Sequence, residues 1–306
     1  MKPIFKEERE LLIRHGGIIF PENCWRDLNN VYLNLSDYYN KKPLFKIDVD
    51  FNCLYPTVFF KYKTLKYREK LKEKNYSFEE EYQMKKDIIE AKFRKSVDMT
   101  KEALINFSSY KICMSLSGGK DSDLSHYVLK QAIKELIEEN ETIKDIPYRK
   151  IAFNTTNESP ETYKYLKKQL GLKKEDIISP DIGWYQYIKE VKNYYLPTTL
   201  SRYCCSTYKE GQFKKVYNTN EDVLIILGMR KDESHKRSFY DWYLNDAWVK
   251  HYEKLPKNKR KPLNVPLNWE RFLPIVEWTD EEVWLFILHN NLEFNKMYKM
   301  GFDRVG

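Results

Sequence analysis

Tyr110-Lys111-Ile112-Cys113-Met114-Ser115-Leu116, followed at once by Ser117-Gly118-Gly119-Lys120-Asp121-Ser122, reads as a short β-strand running into a glycine-rich turn. Beyond the turn, Leu124, Val128, Ala132 and Leu136 recur at helical spacing, so the turn opens a helix. Two glycines let the backbone approach an anion closely, the free amides of the first helical turn point at it, and Lys120 adds a full positive charge. The junction is therefore a candidate cradle for a pyrophosphate-like group. Neither the Gly-x-x-x-x-Gly-Lys spacing of a Walker loop nor the Gly-x-Gly-x-x-Gly dinucleotide fingerprint is present. A plain strand-to-helix connector with Asp121 as its cap is the bland alternative, and the full string of specified residues argues against it.

Working outward, short β-type runs alternate with helical segments. Lys150 to Asn154 precedes a helix from Pro160, Val223 to Met229 is a second apolar run, and a helix covers Asp280 to Asn290. This repetition predicts an α/β fold with a doubly wound, mainly parallel sheet. Ligands of such sheets sit outside the carboxyl ends of the strands, which places the chemistry just after Leu116, Asn154 and Met229. Before residue 108 the texture differs. An aromatic-rich stretch, Trp25 to Phe60, gives way to a lysine-rich one in which Ser77-Phe78-Glu79-Glu80 has the form of a capping box. Phe78, Tyr82, Ile89, Phe93, Val97 and Leu104 then mark one apolar helical face. The expected division is an accessory region over residues 1–107, largely helical after about residue 61, and an α/β domain over residues 108–306.

Composition narrows the class. With 42% hydrophobic and 15% aromatic residues in 306, the chain is not a disordered one. Its 53 basic and 45 acidic residues leave a net charge of +8, which favours polyanionic company without selecting one. Charged residues fill the N-terminus where a secretory signal would be apolar, and no run is long enough for a bilayer, so a cytoplasmic protein with no membrane partner is expected. The five cysteines, Cys24, Cys53, Cys113, Cys204 and Cys205, are an odd set and lack the spacing of a disulfide framework, which leaves reduced thiols or metal ligands.

Arg230 and Arg237 follow the apolar run at Val223, beside Asp232 and Glu233, and a guanidinium there can grip phosphate or sulfate in a bidentate fork. A solvated charged loop is the competing reading, and His235 is read as a solvated bystander. Adjacent Cys204 and Cys205 are poor disulfide partners, but both can bind one iron-sulfur cubane or leave one thiolate nucleophilic, with Arg202 lowering the thiol pKa. Two basic runs, Lys61 to Lys74 and Lys254 to Lys261, are candidates for contact with nucleic acid or, more commonly for such runs, solvated faces. Trp278 and Trp284 are expected in the core.

The string Ser-Gly-Gly-Lys-Asp-Ser resembles the signature of the PP-loop, or N-type ATP pyrophosphatase, superfamily. Asn157-Glu158-Ser159-Pro160-Glu161-Thr162, Arg202-Tyr203-Cys204-Cys205, and Gly228-Met229-Arg230-Lys231-Asp232-Glu233-Ser234 with Arg237 are similar, in order, to motifs of its phosphoadenosine phosphosulfate (PAPS) reductase family. That family includes DNA phosphorothioation sulfurtransferase-like relatives. The resemblance runs through Leu273-Pro274-Ile275-Val276-Glu277-Trp278 and implies an adenine nucleotide α-hydrolase-like fold. It implies further that Ser117, Gly118, Gly119, Lys120, Asp121 and Ser122 hold the phosphate of PAPS, APS or ATP, with Mg2+ if ATP is used. Arg230 and Arg237 would clamp the anionic end. Cys204 and Cys205 would be catalytic candidates and ligands of a 4Fe-4S cluster. In the cluster-bearing branch, a segment like Asn295 to Gly306 runs into a Cys-x-x-Cys that this chain lacks, so the cluster is expected to be incomplete here, with the chain ending just before such a tail. The attacking thiolate would come from that tail, a thiol reductant or a sulfur donor protein. The same loop also suits an ATP pyrophosphatase-type sulfurtransferase acting on DNA or RNA, or a non-catalytic nucleotide-binding subunit docked through residues 1–107.

Overall fold

The computed structural model of the chain describes residues 1–50, 57–62, 64–198, 203–254, 256, 266 and 268–305. They form two compact units, Met1–Glu90 together with Thr279–Val305, and Ala91–Trp278. The change of sequence texture near residue 108 falls inside the second unit. There the later turns of the long helix α4 (Phe78–Asn106) bury Val97, Ala103 and Leu104, and Ser96 accepts a hydrogen bond from Trp278 Nε1 at 3.0 Å.

The second unit is built on a parallel sheet of β6 (Lys111–Ser115), β7 (Tyr148–Phe153), β8 (Ile177–Ile178), β9 (Val223–Ile226) and β10 (Trp269–Phe272). Its order is β10-β9-β6-β7-β8, so the chain leaves β6 in one direction and returns to its other side at β9. Between β6 and β9 lies the topological switch point, where sheets of this kind leave a crevice for ligand. Every residue of β9 is at most 1% exposed, and Ile112, Cys113 and Met114 of β6 are buried, the near-continuous apolar pattern of strands covered on both faces. The covering elements include α5 (Lys120–Glu139), α6 (Pro160–Lys168), α7 (Trp184–Glu190), α8 (Tyr203–Tyr208) and α9 (Leu244–Glu253). Cys113, Ile151, Phe213, Tyr217, Val223, Ile225 and Trp269 share one core cluster.

In the first unit the Ser77–Glu80 capping box is present, with Ser77 Oγ accepting from Glu80 N at 3.1 Å and Glu80 Oε2 accepting from Ser77 N at 2.8 Å, so α4 begins at Phe78 as its sequence predicts. The preceding element of this region is the helix α3 (Thr64–Lys70). Before it, an antiparallel sheet joins β1 (Lys2–Pro3), β2 (Trp25–Asp27), β3 (Asn30–Tyr32), β4 (Phe45–Asp50) and β5 (Thr57–Lys61) in sequential order, with α1 (Lys6–Gly16) and α2 (Leu35–Tyr39) between strands and α10 (Asp280–His289) in the same unit. Most of these strands are too short for an alternation to show in sequence. Their core holds Phe20, Cys24, Val31, Leu33 and Phe45. A buried Lys2–Glu8–Arg26 ion cluster fastens the 301–303 segment, because Arg26 Nη2 donates to Gly301 O at 2.6 Å and meets Asp303 Oδ1 at 2.7 Å. Among the described residues no helix is long and apolar enough to cross a membrane.

Candidate active site

The loop between β6 and α5 is shaped by its own small residues. Leu116 N still donates to Ile151 O at 2.7 Å, and Gly118 then turns the chain at φ +76°, where a Cβ would sit 3.1 Å from Thr162 Cγ2. Gly119 caps α5 in an extended conformation. Ser122 Oγ donates to Gly119 O at 2.8 Å and Ser117 Oγ accepts from Gly119 N at 3.3 Å, so both serines brace the turn. Below them passes Gly228, two residues beyond β9. A Cβ on Gly228 would lie 2.6 Å from the backbone of Asp121 and Ser122, so only glycine lets the β9 loop run this close to the first turn of α5.

Charge is concentrated at the same point. Lys120 Nζ lies 3.0 and 2.9 Å from the two carboxylate oxygens of Asp121, and Arg230 Nε lies 2.8 Å from Oδ1 of the same carboxylate. Lys120 is 5% exposed and Arg230 only 1%, and Arg230 also donates to Trp278 O at 3.3 Å. Two buried cations thus share one internal counter-ion at the switch point, an arrangement that needs pairing to offset desolvation. Arg237 stands one step out. It pairs with Glu233, whose Oε1 accepts from Arg230 N at 3.0 Å, so Arg230 meets the loop directly and Arg237 is linked to it through the acid.

One half-buried group with a shielded carboxyl oxygen escaped the sequence reading. Asp123, in the first turn of α5, accepts Tyr165 OH on Oδ2 at 2.8 Å, while its Oδ1 is shielded from solvent and unpartnered among the described residues. Burial pushes this carboxyl up to about 8, helped by the Asp121 charge and against the pull of the Tyr165 and Ser122 hydroxyls. Acid in a first helical turn ordinarily signals only a favourable dipole contact, so nothing in the string singled it out. After β7, Thr155 Oγ1 donates to Glu158 at 2.8 Å and Ser159 caps α6, with Pro160 at its start. Thr156 Oγ1 accepts from Trp184 N at 2.6 Å and thereby ties the start of α7 to this strand end.

The cysteine pair is less enclosed. Cys204 is half-buried in α8, while Arg202 and the side chain of Cys205 lie outside the described residues. Tyr203 packs near Trp184 at 6.2 Å and Tyr187 at 5.7 Å, and Lys192 Nζ lies 4.9 Å from the Tyr203 ring centre. Cys24 and Cys113 are core thiols pushed up to about 12 by burial. Among the described residues no group of three or more His, Cys, Asp or Glu side chains could hold a metal. The described residues therefore do not fit a closed four-thiolate cubane. Of the basic runs, Lys61, Lys70 and Lys74 are engaged with Asp48, Asp37 and Glu80. Most of Lys254 to Lys261 lies outside the described residues. Trp278 and Trp284 are buried as expected.

A parallel sheet with a glycine turn and two buried cations at its switch point is an α/β arrangement of the PP-loop type. The sequence profile of the phosphoadenosine phosphosulfate reductase domain matches residues 111–306, and the chain belongs to that family. Among curated proteins it is similar to two uncharacterized proteins of Methanocaldococcus jannaschii. One is 28% identical over 200 residues, covering 64% of this chain and 35% of the relative. The other is 26% identical over 251 residues, covering 79% and 53%. The chain thus spans about half or less of the length of these relatives. Among solved structures it is similar to the PAPS reductase of Candida auris in its phosphate complex, with a TM-score of 0.42 at 13% identity over 69% of this chain and 87% of that one.

Proposed function

We propose that this protein is an enzyme of sulfur chemistry that binds an adenine nucleotide, PAPS, APS or ATP, through the loop Ser117 to Ser122. The observation that carries the reading is the convergence of Lys120 and Arg230 on Asp121 at the switch point, two buried positive charges facing a turn whose glycines admit an anion. Phosphosulfate and triphosphate ask for the same groups: backbone amides of the first turn of α5, the Lys120 ammonium and the Arg230 fork. In this reading Arg237 engages the outer end of the anion once released from Glu233. Cys204 and Cys205 supply thiol chemistry beside it, and no step is routed through a cluster that the described residues do not complete. The acceptor or reductant would be a thiol or sulfur donor protein.

The test is anaerobic incubation of the protein with ATP and, separately, with the sulfonucleotide plus a dithiol, assaying pyrophosphate and sulfite. Sulfite identifies a sulfonucleotide reductase, pyrophosphate an adenylating sulfurtransferase, and neither product with nucleotide still bound rejects the enzyme reading. Lys120→Ala should weaken nucleotide binding by about 1.5–3 kcal/mol, the loss of one charge-assisted contact. Unchanged affinity in calorimetry would remove the loop from the site.

A further inference from the structure

Asp123 lies one residue beyond the loop string, between Ser122 and Leu124. Its surroundings are short of positive charge. On α5, the Asp121 carboxylate pushes it further up, a hydrogen bond from the neighbouring Ser122 hydroxyl pulls it down, and Lys120 pairs with that same Asp121. From the loop after β9, Arg230 likewise reaches Asp121 rather than Asp123. From α6 come Tyr165, which donates to Oδ2, and one turn earlier Glu161, another acid with a shielded Oε2. His126, one turn along α5, bonds to Tyr148 and is pushed down to about 4 by burial, so it adds no charge near neutrality. Among the described residues no ion pair reaches Asp123. A carboxyl so placed is stable as the neutral acid, and its unpartnered Oδ1 is where the proton can reside.

We propose that Asp123 is a proton-linked positioning residue of the phosphate loop, and that seating a nucleotide's anionic tail there is coupled to uptake of a proton by this carboxyl. The inference rests on the reading of the loop as an anion site. Phosphate or phosphosulfate oxygens bring at least two negative charges to the first turn of α5, and a nearby like charge favours the uncharged form of an acid. When Lys120 and Arg230 turn from Asp121 to the ligand, Asp121 is less neutralised, and its effect on Asp123 has the same sign. The midpoint for losing the proton is therefore higher in the complex than in the empty protein. Between the two midpoints, binding draws a proton from solution and affinity falls with rising pH by up to tenfold per unit. Below both, binding is independent of this group.

Calorimetric titration of the full chain with ATP, without divalent metal, near pH 8 in two buffers of unlike ionisation heat, Tris and HEPES, reads the coupling directly. The terminal phosphate of ATP is already ionised there, since such groups titrate near about 6. Wild type should take up a fraction of a proton, up to about half per site, and Asp123→Asn none, while Tyr165→Phe should move the maximum to higher pH. A merely structural Asp123 would leave the buffer dependence of wild type and Asp123→Asn alike, which overturns the proposal. ATP that binds with no proton uptake overturns it while sparing the site, whereas ATP that does not bind removes the site and the proposal together. If Asp123→Asn does not fold, 13C titration of the aspartate carboxyls in wild type replaces it. The raised carboxyl midpoint should climb on saturation with ATP, and a midpoint that stays put refutes the coupling.

Discussion

The turn at Ser117–Ser122 and the helix carrying Cys204 stand out comparably in the sequence, yet the fold commits to them unequally. The turn is fixed from below by Gly228, whose position tolerates no side chain against Asp121 and Ser122, and from the side by Gly118 at a positive φ. It lies beside the wholly buried strand β9, and its cations Lys120 and Arg230 are buried. Cys204, in contrast, sits half-exposed on a six-residue helix, far shorter than one that would persist unaided, next to a cluster of aromatic rings. The loop proposed to hold the anion is thus held in shape by the fold itself, whereas the helix proposed to supply the thiols is held by few neighbours.

The sharpest way to break that contrast is to remove the shared counter-ion. Asp121→Asn removes the carboxylate that Lys120 and Arg230 share and leaves Arg230 with the more distant Asp232 at 3.6 Å, and should cost about 2–4 kcal/mol of stability by urea denaturation. Added pyrophosphate should recover part of the loss, because an anion in the loop replaces the missing charge; a loss below about 1 kcal/mol would mean the cluster is not desolvated. Gly228→Ala comes next. Its Cβ meets backbone rather than a yielding side chain, so about 1–3 kcal/mol is expected, together with weakened nucleotide binding as the first turn of α5 is displaced. Normal stability with normal binding would show that the approach of the two loops is not needed.

The pH dependence of Asp123→Asn sharpens the comparison further. The folded midpoint of Asp123, about 8, lies above the unfolded value of about 3.9, so the folded state holds the proton more tightly. Its contribution to stability is fully present below pH 4 and is lost as pH rises toward 8. Asn cannot ionise, so the variant should gain on wild type across that window by about 1–3 kcal/mol, seen as a difference in Tm that grows with pH. A constant difference would contradict the burial. The smallest effect belongs to Cys204→Ser, which should change stability by no more than about 0.5 kcal/mol, since the thiol is no core group. A larger drop, or stoichiometric iron lost with it, would place Cys204 in a built metal site.

Sequence reading reached the turn because contact between backbone and anion demands glycine and lysine at fixed spacing, a requirement local enough to be written in six letters. It reached α4 through its capping box and apolar stripe, and the parallel sheet through the runs at Ile112, Ile151 and Val223. It missed β8, β10 and the sheet β1 to β5, whose strands run from two to six residues, too short for a period to declare itself. It placed Arg230 near a ligand without finding that Asp121 holds it, and passed over Asp123, because both facts depend on residues far apart in the chain meeting in the core. The contact of Gly228 with Asp121 is of the same kind.

The burial of Cys113 in β6 and of Cys24 among the strands of the first unit makes these two thiols clocks for local opening. A thiol-specific reagent reaches each only when its surroundings come apart, so its labelling rate reports the opening free energy of that unit alone. Cys204, half-buried, would react before either of these core thiols. Mass spectrometry of a single labelling course would therefore separate the unfolding of the second unit from that of the first, and if the proposed loop binds nucleotide, a bound nucleotide should slow the Cys113 clock while leaving the Cys24 clock running at its own pace.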